Sequence, residues 1–250
     1  MHFLASVFSF LTSRANWSGP DGILVRAGLQ VELAAMVTAV AAVVGVSGGF
    51  ALGHYRKGAL LAVNAANAAR AVPTLALLTL LAIQPSISFQ WNGFLASGIA
   101  LVVLAVPPVL TNAYVGLREV DPEANEAARA LGLSGSQRFW KVEVPLALPL
   151  AVAGIRTAAV EVVATATLAA FVSFNDLGTY IFAGLNTQDN VETFAGAFLV
   201  AALAAAADLG LATAFWLVVP ASLRRTARDG SPVLARARPG RRGPLVGSAG

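Results

Sequence analysis

Apolar residues dominate this chain, and its polar residues are gathered into short breaks. That pattern fits membrane-crossing helices better than alternating strands or amphipathic surface helices. Five apolar stretches, 28–53, 59–83, 94–117, 146–172 and 193–220, are long enough to cross a hydrocarbon layer about 30 Å thick. The expected fold is an all-α polytopic membrane protein with five transmembrane helices. Residues 1–13 are apolar but too short to span. They carry neither an early positive charge nor a convincing cleavage site, so they do not read as a signal peptide. An interfacial helix is expected there, with Phe3, Val7, Phe10 and Leu11 toward lipid. The expected division is an N-terminal segment 1–27, a membrane domain 28–220 and a disordered basic tail 221–250.

Inside the spans, the exceptions to the apolar pattern carry the information. Gly45, Gly49 and Gly53 recur every four residues in span one, a stripe that admits a neighbouring helix at close range. Packing within the fold is the expectation there, ahead of a dimer seam. In span two, Asn64, Asn67 and Arg70 fall near one helix face. Thr74 follows Pro73, which removes a backbone bond and predicts a kink. Pro107 and Pro108 predict a break in the regular bonding of span three, ahead of Thr111 and Asn112. In span four, Arg156 is placed to snorkel toward the cytoplasm, Glu161 falls near the midplane, and Thr165 and Thr167 add hydroxyls. An arginine at mid-span costs about 2.5–3.5 kcal/mol on insertion scales, so it should face protein or water. Arg70 and Glu161, at similar depth, can pair with each other or line a path. Asp208 in span five reads as a packing or interface partner.

Charge orients the spans. Of 17 basic residues, Arg56, Lys57, Arg118, Arg129, Arg138 and Lys141 lie between spans one and two or three and four, and seven more lie between Arg224 and Arg242. The stretches 84–93 and 173–192 hold none. The positive-inside rule then sets the N-terminus outside and the C-terminus inside. Because the basic excess sits in the tail, the net charge of +4 does not read as a nucleic-acid signal. It suits contact with anionic lipid headgroups. Charged residues make up 12% of the chain, against about 25% in soluble domains. There is no cysteine, and His2 and His54 lie far apart, so neither a disulfide nor a metal site is expected. The sequence has no G-x-x-x-x-G-K-[ST] and no H-E-x-x-H, so ATP and metallohydrolase chemistry are not expected in this chain.

The longest charged segment before the tail, 119–145, reads E-V-D-P-E-A-N-E-A-A-R-A-L-G-L-S-G-S-Q-R-F-W-K-V-E-V-P. Pro122 is suited to open a helix. Gly132 with Gly135 is expected to close it, and a second short helix, Gln137 to Val142, should lead to Pro145. This segment resembles the EAA loop of ABC-importer permeases, whose pattern is E-A-A, three residues, G, nine residues, I-x-L-P. Glu126, Ala127, Ala128 and Gly132 match in place, and Val142, Val144 and Pro145 follow at the right offset with valines for isoleucine and leucine. The resemblance extends over roughly 28–220. P-P-V-L-T-N, E-V-P-L-A-L-P-L-A-V-A-G-I-R-T-A and the R-x-V-P-x-L-A-L-L run beginning at Arg70 are similar to the osmoprotectant (glycine betaine, carnitine, choline) branch. Asn175 and Asp176 stand where that family has two glycines.

The resemblance implies a MetI-like type I permease fold in a bacterial inner membrane, with no ATP site of its own. ATP and Mg would be held by a partner ATPase, which docks at Glu126, Ala127, Ala128, Gly132, Val142 and Pro145. It further implies a second permease chain, identical or paralogous, and an extracytoplasmic substrate-binding protein. Asn64, Asn67, Arg70, Thr74, Asn112, Glu161 and Thr165 are the candidates for the translocation path. An amino-acid importer is the alternative within the superfamily. A proton-coupled carrier using Glu161 and Asp208 is the alternative outside it, although the chain shows no internal repeat. A structural membrane anchor would not need Arg70 and Glu161 in mid-span.

Overall fold

A computed structural model describes residues 2–55, 63, 64, 68, 70–84 and 93–218, with backbone only at 215–218. Among these the chain is helical: α1 (His2–Thr12), α2 (Arg14–Trp17), α3 (Ile23–Tyr55), α4 (Thr74–Ala82), α5 (Phe94–Arg118), α6 (Pro122–Ala130), α7 (Gly135–Arg138), a π-helical turn (Phe139–Glu143), α8 (Val144–Thr165), a 3-10 segment (Ala166–Val172), α9 (Gly178–Thr187) and α10 (Asn190–Val218). Four segments are long and apolar enough to cross a membrane: Ile23–Tyr55, Phe94–Arg118, Gly135–Val172 and Asn190–Ala214. Of the expected span 59–83, residues 59–62, 65–67 and 69 lie outside the described residues. Its described end is α4, which begins after Pro73 in extended backbone. Pro73 therefore stands at a helix start, where its missing N–H costs nothing, and not at a kink inside a helix.

Three helices make the core. Leu33, Val37 and Ala41 of α3 meet Leu101, Ala105 and Val109 of α5 and Ala158, Val162 and Ala166 of α8 and its 3-10 extension. The glycine stripe of α3 lies on α5. A Cβ at Gly45 would stand 2.7 Å from Val109 Cβ, and one at Gly49 would stand 2.6 Å from the Leu110 carbonyl oxygen. The stripe is thus an internal seam. On the other side of α5, Gly116 meets Ala147 and Gly154 meets Asn112, so α8 also approaches closely. Dispersion between near-touching backbones holds such a bundle together in lipid, where burial of apolar surface gives little drive.

Several expectations are corrected. Helix α5 runs unbroken through Pro107 and Pro108, both buried. Prolines persist in membrane helices when neighbours satisfy the freed backbone groups. Here α3 and α8 clamp the turn after the prolines at Gly45 and Gly154, and Asn112 Nδ2 adds a bond to the Pro108 carbonyl at 2.8 Å. Helix α3 begins five residues before Gly28, because Arg26 stays in its first turn by donating to the Asp21 carbonyl at 2.8 Å. The stretch 173–192, read as a loop, contains α9. Buried Tyr180 and Gly184 face the bundle, and Gly196 of α10 lies against Tyr180 and Ile181.

The N-terminal segment is a helix, but its apolar stripe faces protein. Val7 is buried, Phe10 meets Tyr180 edge-on at 5.8 Å, and Phe3 meets Phe194 at 5.6 Å. Leu4 and Phe8, both exposed, are left to meet lipid.

Replacing Gly49 by Val should destabilise the bundle by about 1–3 kcal/mol through overpacking. Gly28→Ala, where a Cβ meets nothing within 4 Å, should be neutral or stabilise by up to about 1 kcal/mol. Thermal unfolding in detergent measures both, and equal effects would contradict the seam.

Candidate functional site

Residues 119–145 form a helical hairpin built from local capping rules. Asp121 Oδ1 accepts the Glu123 N–H at 2.8 Å, and Pro122 occupies the first turn of α6, where no donor is missed. At the far end, Leu133 N–H donates to the Ala128 carbonyl and Gly132 N–H to the Arg129 carbonyl. This paired closure needs a left-handed residue, and Gly132 supplies φ +79. Gly135 does not share in that stop. It opens α7, which Ser134 and Gln137 cap reciprocally. The second helical piece begins at Gly135, not Gln137, and passes at Phe139 into the π-helical turn that leads into α8.

The hairpin has an outer and an inner side. Glu126, Ala127 and Gly132 are exposed, whereas Ala128 is buried. Ala128 is therefore small because it packs on its own chain, and Ala127 is the alanine left facing outward. Val142 and Pro145 are half-buried at the root of α8. Leu131 is 80% exposed and Trp140 is 66% exposed. Motif reading passed over both, though an apolar residue in an otherwise polar loop is the signal that finds them.

The polar mid-span residues gather on α8. Arg70 Nη2 donates to Glu161 Oε1 at 2.8 Å. About one and a half turns away along α8, Arg156 Nε and Nη2 donate to Asp208 Oδ1 at 2.8 and 2.7 Å. Arg156 does not snorkel, because its counter-ion stands on the adjacent α10. Arg70, Arg156, Thr157, Glu161 and Asp208 line an open cavity of about 650 Å³. Sequence reading did not place Arg156 and Thr157 among the path candidates, and it gave Asp208 a packing role.

The other candidates sit elsewhere. Asn112 is engaged at the α5–α8 crossing, Thr74 starts α4 beside Ala100 and Val103, and Thr165 ends α8. Asn64 is exposed, and Asn67 lies outside the described residues.

A second polar cluster sits beyond the ends of α3 and α8. Asp176 is fully buried and its Oδ1 accepts the Gly178 N–H at 2.8 Å. Burial pushes its carboxyl up to about 7, against the opposing pull of the Gly178 bond and the Arg26 charge. Arg26 lies over the Tyr180 ring at 4.8 Å, and Tyr180 donates its hydroxyl to the Asp21 carbonyl.

An apolar helical bundle with a polar hairpin and charge pairs has the form of a membrane permeation subunit. Residues 22–219 match the family of binding-protein-dependent transport system inner membrane components, and the chain belongs to that family. It is 32% identical over 202 residues to the glycine betaine/carnitine/choline transport system permease protein OpuCB of Bacillus subtilis, covering 81% of this chain and 91% of that one. It is 33% identical over 197 residues to the choline transport system permease protein OpuBB of the same organism, covering 79% and 88%. It is also 33% identical over 202 residues to the carnitine transport permease protein OpuCB of Listeria monocytogenes, covering 81% and 89%. These relatives place the chain in the osmoprotectant branch of the permeases. A crystal structure of an amino acid ABC transporter with histidines superposes with a TM-score of 0.55 at 22% identity, over 79% of this chain and 94% of that one. That likeness shows the fold.

A double-mutant cycle on Arg156→Met and Asp208→Leu should return a favourable coupling of about 1–3 kcal/mol in thermal unfolding. Coupling near zero would mean that the pair is apart in the folded protein. Asp176 gives a pH signature. Its native pKa of about 7 exceeds the ordinary 3.8, so the native state holds a proton that the unfolded chain releases. The stability this confers is complete below about pH 4 and is lost as pH rises through about 7. The unfolding midpoint of the wild type should fall across that window, and Asp176→Asn, which keeps the acceptor for Gly178, should flatten the fall. Parallel profiles would contradict the assignment.

Proposed function

We propose that this chain is the permease subunit of an ATP-driven importer that brings a quaternary ammonium osmoprotectant, such as glycine betaine, choline or carnitine, into the cytoplasm. The observation that carries this reading is similarity to osmoprotectant permeases along most of both chains, at 32–33% identity, together with the capped hairpin. The segment 59–83 supplies a fifth crossing, with the N-terminus outside and the C-terminus in the cytoplasm. Hydrolysis of ATP belongs to partner ATPase subunits. They grip the hairpin at Glu126, Ala127, Leu131 and Gly132, with Trp140 at the edge, as a short helix seated in a groove. A second permease chain faces the cavity of Arg70, Glu161, Arg156 and Asp208 and closes the path around it. A binding protein presents the solute from outside.

The path must bind solute differently in its two access states, since only differential affinity couples a ligand to a conformational change. Ion pairs that are half-exposed within the membrane suit this. They are stable when water or a second chain covers them and unstable against lipid.

The test is uptake of labelled glycine betaine, choline and carnitine into liposomes holding the chain, its ATPase and its binding protein. Uptake should require ATP and survive collapse of the proton gradient. Gly132→Trp should abolish it and leave membrane insertion intact. Normal transport by Gly132→Trp, or uptake without ATP, would overturn the proposal. Uptake of amino acids in place of the ammonium solutes would move the cargo to the amino-acid branch.

A further inference from the structure

The hairpin is joined by the chain to α5 on one side and to α8 on the other. Helix α3 has no such join, because it does not adjoin the hairpin in the chain. Any movement of the hairpin reaches α3 through non-covalent contact. The apolar contacts of α3 with α5 and α8 are not directional, and by themselves they do not stop one helix sliding along another. Among the described residues, two side-chain hydrogen bonds tie α3 to the chain segment that contains α8. Gln30 Nε2 donates to the Val163 carbonyl at 2.8 Å near one end. His54 Nδ1 meets Glu143 Oε2 at 3.4 Å at the other. The two lie about 36 Å apart along the helix, at 1.5 Å per residue.

The second tie sits on the joint between hairpin and membrane. Glu143 ends the π-helical turn and is only 9% exposed. Its two oxygens go to different elements: Oε2 to His54 of α3 and Oε1 to Arg138 of α7, the latter also at 3.4 Å. The His54 ring packs edge-on against Phe139 of the same turn, with centroids 4.9 Å apart. A buried carboxylate holds its partners firmly, since losing one leaves its charge uncompensated. π-Helical turns are wide and recur at sites that shift in function. Here the turn is bridged across its ends by Arg138 and fastened sideways to α3 by His54.

We propose that His54, Glu143 and Arg138 form a positioning cluster that locks the cytoplasmic end of α3 to the base of the hairpin, so that α3, α5 and α8 move as one body when the ATPases close. This rests on the reading of the hairpin as the ATPase dock and names what lies behind it. The sequence reading weighed His54 as a metal ligand and gave Glu143 no role.

The chain has no native cysteine, so nitroxides placed at Ser47→Cys on α3 and Ser136→Cys on α7 report this geometry in the assembled complex. Their separation should be the same in the nucleotide-free and vanadate-trapped states. In His54→Ala it should change on trapping, and solute moved per ATP should fall about tenfold, a usual size for coupling between sites. His54→Asn keeps an N–H near the Nδ1 position and should restore both readouts. A changing separation in the parent chain, or His54→Ala behaving like the parent, would overturn the cluster's role. Loss of ATPase subunits from His54→Ala would also overturn it, since the cluster would then shape the dock and not relay from it. Failure of the docking reading looks different: Gly132→Trp would keep its ATPase and its coupling, and the inference would fall with it.

Discussion

A bilayer offers no partner to a charge or to an unpaired backbone group, so each polar atom within it must be met by the protein or by enclosed water. That constraint explains the arrangement of this chain. Arg70 meets Glu161, Arg156 meets Asp208, and Asn112 serves the carbonyl of Pro108. The glycine seam of α3 follows from the same constraint. With little hydrophobic drive between helices in lipid, close approach of backbones has to supply the contact. Both charge pairs are nevertheless open on one side, with Arg156 and Asp208 each about 40% exposed. Paired yet uncovered charges on an apolar bundle mark the face where the proposed second permease chain would sit.

The hairpin follows different rules because it stands in water. Its shape comes from an Asp–Pro start, a glycine in left-handed backbone and a reciprocal Ser–Gln cap, each a local device that needs little support from the bundle. A handle of this kind keeps its shape while force passes through it. Its root is where local and long-range order meet. There the π-helical turn delivers the chain into α8, and Glu143 gathers bonds from α3 and α7.

Much of this was legible in the sequence. Four of the five expected spans were visible as apolar runs longer than the bilayer is thick, and the hairpin as a charged segment with caps and small residues in register. Arg70 and Glu161 could be matched as the opposite charges at equal depth. Arg156 was misread because its distance from the membrane surface suggested an escape to water, while its partner lay 52 residues away on α10. Pro107 and Pro108 were misread because proline's local cost is fixed, whereas the close packing of α3 and α8 on the same turn is tertiary. Helix α9 was hidden because its amphipathic run is short and the residues ahead of it, Asn175 and Asp176, replace an expected glycine pair. The apolar stripe of α1 was seen correctly as a stripe, but sequence cannot say whether lipid or α10 covers it.

The central claim is that the hairpin is the grip of a separate ATPase, and the absence of cysteine makes this directly testable. A single cysteine at Leu131, carrying a short photo-activated cross-linker, should capture the ATPase subunit in the assembled importer, whereas one at Leu4 in α1 should not. Capture from Leu131 in the complex is the predicted result. An importer that transports normally while Leu131 captures only lipid or its own chain would contradict the account.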